Sequence, residues 1–363
     1  IRFVPWALEP TAQVIHDCFD VNGKLIDIAP RSVLRRVLSF YEKQGWKPVV
    51  APELEFYLVT RNEDPDYPLV PPVGRNGRPE TARQSFSIDA VNEFDPIFED
   101  MYDYCEAQEL EVDTLIHESG AAQMEINFLH GDAIDLADQV FLFKRTMREA
   151  AHRHGIYATF MAKPMSNEPG SAMHIHQSLE DMDGNNLFGT SEGGNSDLFM
   201  HFIAGLQKYT PAVTALLAPN VNSYRRLTFG ESAPRNVQWG VENRTCGLRV
   251  PFSEPSARRV ENRFAGADAN PYLALAATLA CGYLGMLEKL EPMQEMKASA
   301  YDLPYSLPRS LEESLSHLEQ CEPIKDMLGE RFIRAFVAVK RKEYETYFGV
   351  ISRWEREFLL LNV

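Results

Sequence analysis

The sequence lacks most of the features that mark secreted, nucleic-acid-binding and membrane proteins. Its five cysteines are scattered and form no C-x-x-C pair, which argues against a disulfide framework or a zinc site and favours reduced thiols in the cytoplasm. Basic residues are outnumbered, and the net charge of -16 argues against nucleic acid as a partner. No signal peptide and no apolar run of membrane-spanning length is found, so we expect no membrane partner.

Glycine-rich phosphate-binding loops are also missing. Neither G-x-x-x-x-G-K-[ST] nor G-x-G-x-x-G occurs, so any nucleotide must be bound by a different structural motif. With no internal repeat or low-complexity tract in 363 residues, the simplest expectation is one continuous domain over residues 1–363. Because the sequence begins at Ile1 rather than at a methionine, we expect that an N-terminal segment precedes it.

Hydrophobic spacing predicts a mixture of helices and strands, which places the chain in the α+β class. The predicted helices span 32–44, 95–109, 133–154, 198–217 and 271–290, and most of the chain beyond 290 also reads as helical. The predicted strands span 49–59, 114–129, 156–162, 245–251 and 257–265. Asn22-Gly23 predicts a hairpin turn, residues 60–84 predict a long surface loop, and residues 219–244 show no clear element.

The predicted strand over 49–59 carries Glu53 and Glu55. Side chains alternate across a strand, so both carboxylates point to the same face. Burying two adjacent carboxylates is costly unless a cation compensates, and a divalent metal is the simplest compensator. The alternative is an edge strand with one solvent-exposed face, an arrangement that any single E-x-E pattern allows.

Further candidate ligands lie on other predicted strands. Glu118 and Glu125 belong to one strand region, while the period of two places His174 and His176 on one face of another. Glu261 lies in the strand predicted over 257–265. Several carboxylates with an imidazole and no thiolate suit magnesium or manganese, and this number of acids implies more than one ion.

Arginines accompany the acidic residues. Their guanidinium forks suit phosphate and carboxylate oxygens, and the candidates are Arg226, Arg244, Arg249, Arg259 and Arg263. Divalent metals together with several arginines are typical of phosphoryl-transfer sites, where catalysis depends mostly on substrate positioning and charge neutralisation.

The motifs that contain these residues resemble, in order along the chain, those of the glutamine synthetase family. They are Pro52–Leu58, His117–Glu118 with Gln123–Glu125, Gly170–His176, Asn243–Arg244 with Leu248–Pro251, and Arg258–Arg263 with Ala269–Tyr272. The resemblance implies a catalytic domain of the glutamine synthetase/guanidino kinase type. Its curved antiparallel sheet would form a half-barrel active site with helices outside.

The resemblance also implies roles for individual residues. It implies one metal on Glu55, Glu118 and Glu125, and a second, nearer the nucleotide, on Glu53, His174 and Glu261. It implies glutamate binding by Gly170, Arg226 and Arg263, and ATP contacts by His176, Ser178 and Arg259. Arg244 and Arg249 would neutralise the transferring phosphoryl group, and Glu231 would close the site and take a proton from the attacking amine. The implied cofactors are ATP with two or three Mg²⁺ or Mn²⁺ ions.

The sequence departs from the family pattern in a few places. The family's N-terminal β-grasp domain, which completes the site of a neighbouring subunit, is absent from these 363 residues, so the chain alone is expected to lack activity. A nucleotide-site lysine is replaced by Ser256, and a tyrosine near the ammonium pocket by Phe86. Tyr301 matches a tyrosine that some bacterial members adenylylate, although a packed loop tyrosine is the simpler interpretation.

Several further stretches resemble the γ-glutamylpolyamine branch of the family, typified by γ-glutamylputrescine synthetase. They include residues 5–13, 48–52, 142–145 and 158–164. The resemblance therefore implies a ligase that joins glutamate to a polyamine, in a homo-oligomeric double hexameric ring. The alternatives are a glutamine synthetase that uses ammonium and a ligase for another monoamine or aniline. A guanidino kinase would not need so many acidic ligands, and a catalytically dead relative would have lost some of them.

Overall fold

The protein is built on one large sheet with helices packed against it. The computed structural model describes residues 1–81, 83–229 and 232–363. The strands are β1 (Arg2–Phe3), β2 (Ala12–Gln13), β3 (Lys47–Thr60), β4 (Val112–His117), β5 (Gln123–Phe128), β6 (Gly131–Asp132), β7 (Ile156–Thr159), β8 (Met173–Glu180), β9 (Trp239–Val241), β10 (Leu248–Val250) and β11 (Val260–Asn262). The helices are α1 (Pro30–Glu42), α2 (Ile88–Asn92), α3 (Asp95–Ala107), α4 (Ala133–Arg153), α5 (Asp197–Leu217), α6 (Val221–Phe229), α7 (Pro271–Glu288), α8 (Leu311–Gln320), α9 (Glu322–Leu328), α10 (Glu330–Phe348) and α11 (Arg353–Phe358).

The strand order in the main sheet is β4-β5-β3-β8-β11-β10-β9, and β6 and β7 extend it by pairing with β3. Within the described residues the pairings in this sheet are antiparallel, apart from the parallel pair β9 and β10. Over the part of the chain that the structure describes, the sheet stays open, since its path ends at β4 on one side and at β9 on the other. This confirms the predicted α+β class and a mainly antiparallel sheet.

Strand β3 is the centre of the sheet, and its two faces differ in chemistry. Leu54, Phe56 and Leu58 are fully buried on one face, where each contributes about 1.5–3 kcal/mol to folding. Glu53 and Glu55 alternate with them and therefore point to the opposite face. The apolar face fixes the register of the strand, because a slip by one residue would bury the carboxylates among the helices.

Helix α7 is the central helix of the layer behind the sheet and packs against α1, α4 and α5. It approaches α5 very closely at a pair of glycines. A Cβ atom on Gly205 would lie 2.6 Å from the Cα of Gly285, so neither position tolerates a side chain without movement of the helices. Glycine at both positions thus sets the spacing of the two helices.

The structure corrects some predicted elements. Helix α6, Val221–Phe229, lies in a segment where no element was predicted. Its buried face includes the cation Arg226 together with Ser223 and Tyr224, so it lacks a plain apolar period. The strand predicted over 257–265 is reduced to β11, and the strand predicted over 245–251 to β10. The hairpin turn at Asn22-Gly23 is confirmed by the antiparallel bridge between Phe19 and Leu25.

Within the described residues, none of the helices combines the length and the apolarity that crossing a membrane requires.

Candidate active site

Strand register gathers the predicted metal ligands on one face of the sheet. Glu53 of β3 is directly opposite His174 of β8, and Glu55 is directly opposite Glu125 of β5. Glu261 of β11 is opposite His176 of β8. Residues directly opposite on antiparallel strands have Cβ atoms about 4.5–5.5 Å apart, so these acids and imidazoles converge although they are far apart in the sequence.

Glu53 occupies the middle of this group. Its carboxylate lies 2.7 Å from Nε2 of His176 and 3.4 Å from Nδ1 of His174. Burial alone would raise the pKa of Glu53, but hydrogen bonds from the two imidazoles hold it below its ordinary range. Burial and the nearby Arg263 lower the pKa of His174 to about 4, so its imidazole is neutral and able to ligate a metal at pH 7.

Two groups of these side chains have the geometry of a metal site. One is Glu53, His176 and Glu261, and the other is Glu53, Glu125 and His174, with the ligand atoms of each group within 4.8 Å of one another. Carboxylate oxygens with one imidazole fit magnesium or manganese. Glu53 belongs to both groups, so the predicted division of the ligands between two ions stays a prediction.

The remaining acids are packed together, and nearby arginines compensate their charge only in part. Burial and the charge of Glu118 raise the pKa of Glu55 to about 8. Burial together with Glu53 and Glu55 raises the pKa of Glu125 to about 10. Burial also raises the pKa of Glu118. A bound divalent cation would relieve this repulsion, so the donor set fits the ions that the sequence implied.

These pKa shifts predict that metal binding displaces protons. In the metal-free protein the carboxyl groups of Glu55 and Glu125 hold protons at pH 7, because their pKa values are raised to about 8 and about 10. A metal ion binds the carboxylate, so the apparent Mn²⁺ affinity should rise between about pH 6.5 and 8.5 and protons should be released. Titration with MnCl₂ in weak buffer with a pH indicator measures the release. An affinity that does not change with pH would contradict the expectation, and Glu125→Gln should release fewer protons.

The arginines surround the acids, but not all of them form hydrogen bonds or ion pairs with the acids. Glu261 accepts hydrogen bonds of 2.5 Å from both Arg249 and Arg263. Burial would raise the pKa of Glu261, but Arg263, His174 and His176 lower it to about 2. Arg244, in contrast, is exposed and makes no hydrogen bond or ion pair with any residue that the structure describes. It is therefore a cation available to a ligand.

Two adjoining cavities open onto this group. The larger has a volume of about 590 Å³ and is bordered by the predicted metal ligands and by the predicted glutamate contacts Gly170, Arg226 and Arg263. The other, of about 380 Å³, is bordered by the predicted nucleotide contacts His176, Ser178 and Arg259. Glu53 and His176 border both cavities, so the metal group reaches the place where the two cavities meet. Among the predicted catalytic residues, Arg244 and Arg249 border the larger cavity, whereas Glu231 lies outside the described residues.

Gly170 and Arg226 pack tightly in the wall of the larger cavity. A Cβ atom on Gly170 would lie 2.6 Å from the carbonyl oxygen of Ala162 and 2.7 Å from Cγ of Arg226. Arg226 donates to the carbonyl oxygens of Phe264 and Arg263, both at 2.9 Å. Burial lowers its pKa to about 10, which leaves it charged at pH 7. The position requires glycine, and the arginine beside it is fixed in place.

The structure adds residues that the sequence did not single out for this site. Asn127 borders both cavities, and Ile116 and Tyr301 border the larger one. Gln123 donates to the carboxylate of Glu55 at 3.3 Å and to the carbonyl of Gly170 at 3.0 Å, which ties two parts of the site together. Period-two spacing places Asn127 on the same face as Glu125, and this was the available signal for it.

Comparisons with known proteins agree with this geometry. The family model described as glutamine synthetase, catalytic domain, matches residues 27–359. The γ-glutamylputrescine synthetase PuuA of Escherichia coli (strain K12) is 36% identical over 366 residues, which cover 99% of this chain and 77% of PuuA. A glutamine synthetase of Pyrococcus horikoshii is 37% identical over 358 residues, which cover 96% of this chain and 77% of that protein.

A solved structure described as apo GmaS without ligand superimposes with a TM-score of 0.81 at 30% sequence identity. The match covers 93% of this chain and 78% of that one. Fold, family model and relatives that match almost all of this chain thus agree, and the resemblance seen in the sequence is confirmed. The chain belongs to the glutamine synthetase family and is a ligase.

Proposed function

We propose that this ligase joins the γ-carboxylate of glutamate to an amine, with ATP as the phosphoryl donor and γ-glutamyl phosphate as the intermediate. ADP and phosphate are the other products. The observation that carries the proposal is the group of acids and imidazoles at the junction of two cavities, one of which is lined by arginines. In this arrangement a nucleotide in the smaller cavity directs its terminal phosphate past Glu53 toward the larger one.

The acidic residues prepare the site for charged substrates. Two or three Mg²⁺ or Mn²⁺ ions held by Glu53, Glu55, Glu118, Glu125, His174 and Glu261 would neutralise phosphate oxygens and orient the terminal phosphoryl group. Without such cations, burial and neighbouring acids raise the pKa values of Glu55 and Glu125, so both groups hold protons at pH 7. Metal binding would therefore ionise these carboxyl groups and supply the positive charge that anionic substrates require.

The arginines have different roles in binding glutamate, the transferring phosphoryl group and ATP. Arg226 and Arg263 stand beside Gly170 and hold the α-carboxylate end of glutamate through guanidinium–carboxylate pairing. Arg244 and Arg249 face the transferring phosphoryl group and stabilise the charge that spreads over its oxygens. His176, Ser178 and Arg259 contact ATP in the smaller cavity. Glu231 takes the proton of the attacking amine.

The rim of the larger cavity favours an alkyl amine over ammonium. Phe86 and Ile116 both border this cavity, together with Glu118, and the Phe86 side chain is 63% exposed. An apolar wall removes carbon chain from water at about 25 cal/mol per Å², whereas ammonium gains nothing from it. We therefore propose putrescine or a related polyamine as the amine. Ammonium is the alternative, since the glutamine synthetase of Pyrococcus horikoshii is as similar to this chain as PuuA is.

We further propose that the protein is cytoplasmic and works as a double hexameric ring. Scattered free cysteines support a reducing compartment. Exposed apolar side chains such as Trp354, Phe358 and Leu361 support burial against other subunits. Mass photometry at nanomolar concentration would test the ring, and a monomer under these conditions would overturn it.

The test of the proposed function is a phosphate-release assay of the full-length protein with glutamate and ATP. Putrescine, spermidine, isopropylamine, aniline and ammonium are offered in turn at equal concentration. We expect the largest kcat/KM with a polyamine, at least about tenfold above ammonium, which corresponds to about 1.4 kcal/mol. Phe86→Ala should raise the KM for putrescine and leave the KM for ammonium unchanged, because ammonium has no carbon chain to contact the ring.

Two outcomes bear on different parts of the proposal. Turnover with ammonium alone would show that the polyamine assignment is wrong and the ligase assignment right. Phosphate release that does not depend on glutamate would contradict the ligase chemistry itself. Detection of the γ-glutamyl amide by mass spectrometry separates productive ligation from simple hydrolysis of ATP.

A further inference from the structure

Asn127 lies inside the candidate metal group, although no role is assigned to it so far. It is directly opposite Glu53 in the pairing of β5 with β3, which places their Cβ atoms about 4.5–5.5 Å apart. It also follows Glu125 by two residues in β5, so the two side chains project from the same face of the strand. Asn127 is therefore flanked by two of the three ligands in the group Glu53, Glu125 and His174.

The side-chain oxygen of Asn127 is a buried acceptor without a protein partner in the part of the chain that the structure describes. An unpaired buried acceptor costs about 1–3 kcal/mol, so such a group normally finds a partner. Asn127 borders both cavities at the point where they meet, and a ligand placed there would supply that partner.

We propose that the side-chain oxygen of Asn127 completes the coordination sphere of the divalent ion held by Glu53, Glu125 and His174. The inference rests on the proposed function, because it requires that the acidic group binds metal. Magnesium and manganese prefer about six ligands, mostly oxygen, and three protein side chains leave room for a fourth. The amide fills that position.

The choice of asparagine over aspartate has an electrostatic reason. Glu53 lies directly opposite Asn127, Glu125 is two residues before it, and Glu55 lies opposite Glu125. Three acidic side chains are thus already close to position 127, and their charges repel a further carboxylate. A further carboxylate at position 127 would add to this repulsion whenever metal is absent. The amide contributes an oxygen ligand at no cost in charge, so the metal-free protein is not destabilised further.

The experiment measures Mn²⁺ binding to the nucleotide-free protein by isothermal titration calorimetry. Asn127→Ala should weaken Mn²⁺ binding at one site by about tenfold, the lower end of the range for groups that support a metal site. Asn127→Asp keeps the shape of the side chain and adds a charged ligand, so it should bind Mn²⁺ at least as tightly as the unmodified protein. Asn185→Ala, in an exposed turn after β8, is the matched control and should change nothing.

A second readout distinguishes coordination from a structural role. Relaxation of ¹⁷O in water counts the water molecules on bound Mn²⁺, and Asn127→Ala should gain one, because water replaces the lost amide oxygen. A lost packing contact would not change this count. The proposal is overturned if affinity and water number both stay the same in Asn127→Ala. It is also overturned if the variant weakens only the binding of ADP measured without metal, since the amide would then contact the nucleotide.

Failure of the inference can be told apart from failure of the proposed function. If the unmodified protein binds no Mn²⁺, the metal-dependent ligase chemistry fails and the role of Asn127 fails with it. If the unmodified protein binds Mn²⁺ and Asn127→Ala binds it equally well, only the role of Asn127 is wrong. Circular dichroism of each variant verifies folding, and the Asn127→Asp arm remains informative even if Asn127→Ala is unstable.

Discussion

Glu53→Gln is expected to lower turnover by about 10³-fold or more and to abolish tight Mn²⁺ binding. Glu53 is shared by the two candidate metal groups, and its carboxylate also contacts both His174 and His176. Glutamine keeps the size of the side chain but offers one neutral oxygen in place of a charged pair. A metal ion contributes several kcal/mol to charge stabilisation in the transition state, and each 1.36 kcal/mol is a factor of ten in rate.

Calorimetric titration with Mn²⁺ and the phosphate-release assay measure the two effects of Glu53→Gln separately. Glu99→Gln, on the exposed face of α3, changes the net charge by the same amount and should leave both readouts intact. Retention of Mn²⁺ affinity in Glu53→Gln, with turnover within tenfold of the unmodified protein, would contradict the central position of this carboxylate.

Strand periodicity was sufficient to predict much of the candidate site. Glu53 and Glu55 share a face because side chains alternate, and the same rule joined His174 to His176. The apolar residues between the acids in β3 are buried, as the pattern required. The order of the motifs then supplied the family, and the mainly antiparallel sheet followed from it.

Register and partner choice could not be predicted from these patterns. Nothing in the sequence states that β3 pairs with both β5 and β8, yet this pairing decides that Glu53 faces His174 and Asn127. The same limit applies to α6, whose buried face carries Arg226. A cation on the inner face of a helix interrupts the apolar period that identifies helices, and its reason lies in the carbonyl oxygens it meets at a distant loop.

The balance of charge in the site also follows from strand pairing. Arg249 lies opposite Glu261 in the pairing of β10 with β11, and Arg263 follows Glu261 by two residues. Both guanidinium groups therefore hold Glu261 ionised, while the side of the group near Glu125 has no such partner among the described residues and keeps its protons. Glu261 is therefore ionised before a metal ion binds, whereas Glu125 loses its proton only when the ion binds.

Arg244→Gln is expected to lower kcat by about 10³-fold while the KM values for glutamate and ATP change by less than about threefold. Arg244 borders the larger cavity, and its removal breaks no hydrogen bond or ion pair within the described residues. Its charge does lower the pKa of Glu118. A guanidinium group that meets charge developing on a transferring phosphoryl group is worth about 10³–10⁵ in rate. An interaction made mainly in the transition state appears in kcat and leaves KM nearly unchanged.

The conservative variant and a matched control sharpen this expectation. Arg244→Lys restores the positive charge without the planar fork, so it should recover part of the lost kcat. Arg61→Gln removes an exposed arginine of the loop after β3 and should leave kcat unchanged. A large increase in the KM for glutamate with kcat preserved would instead assign Arg244 to substrate binding. In that case Arg249, whose guanidinium is held in place by Glu261, would be the residue left to stabilise the phosphoryl group.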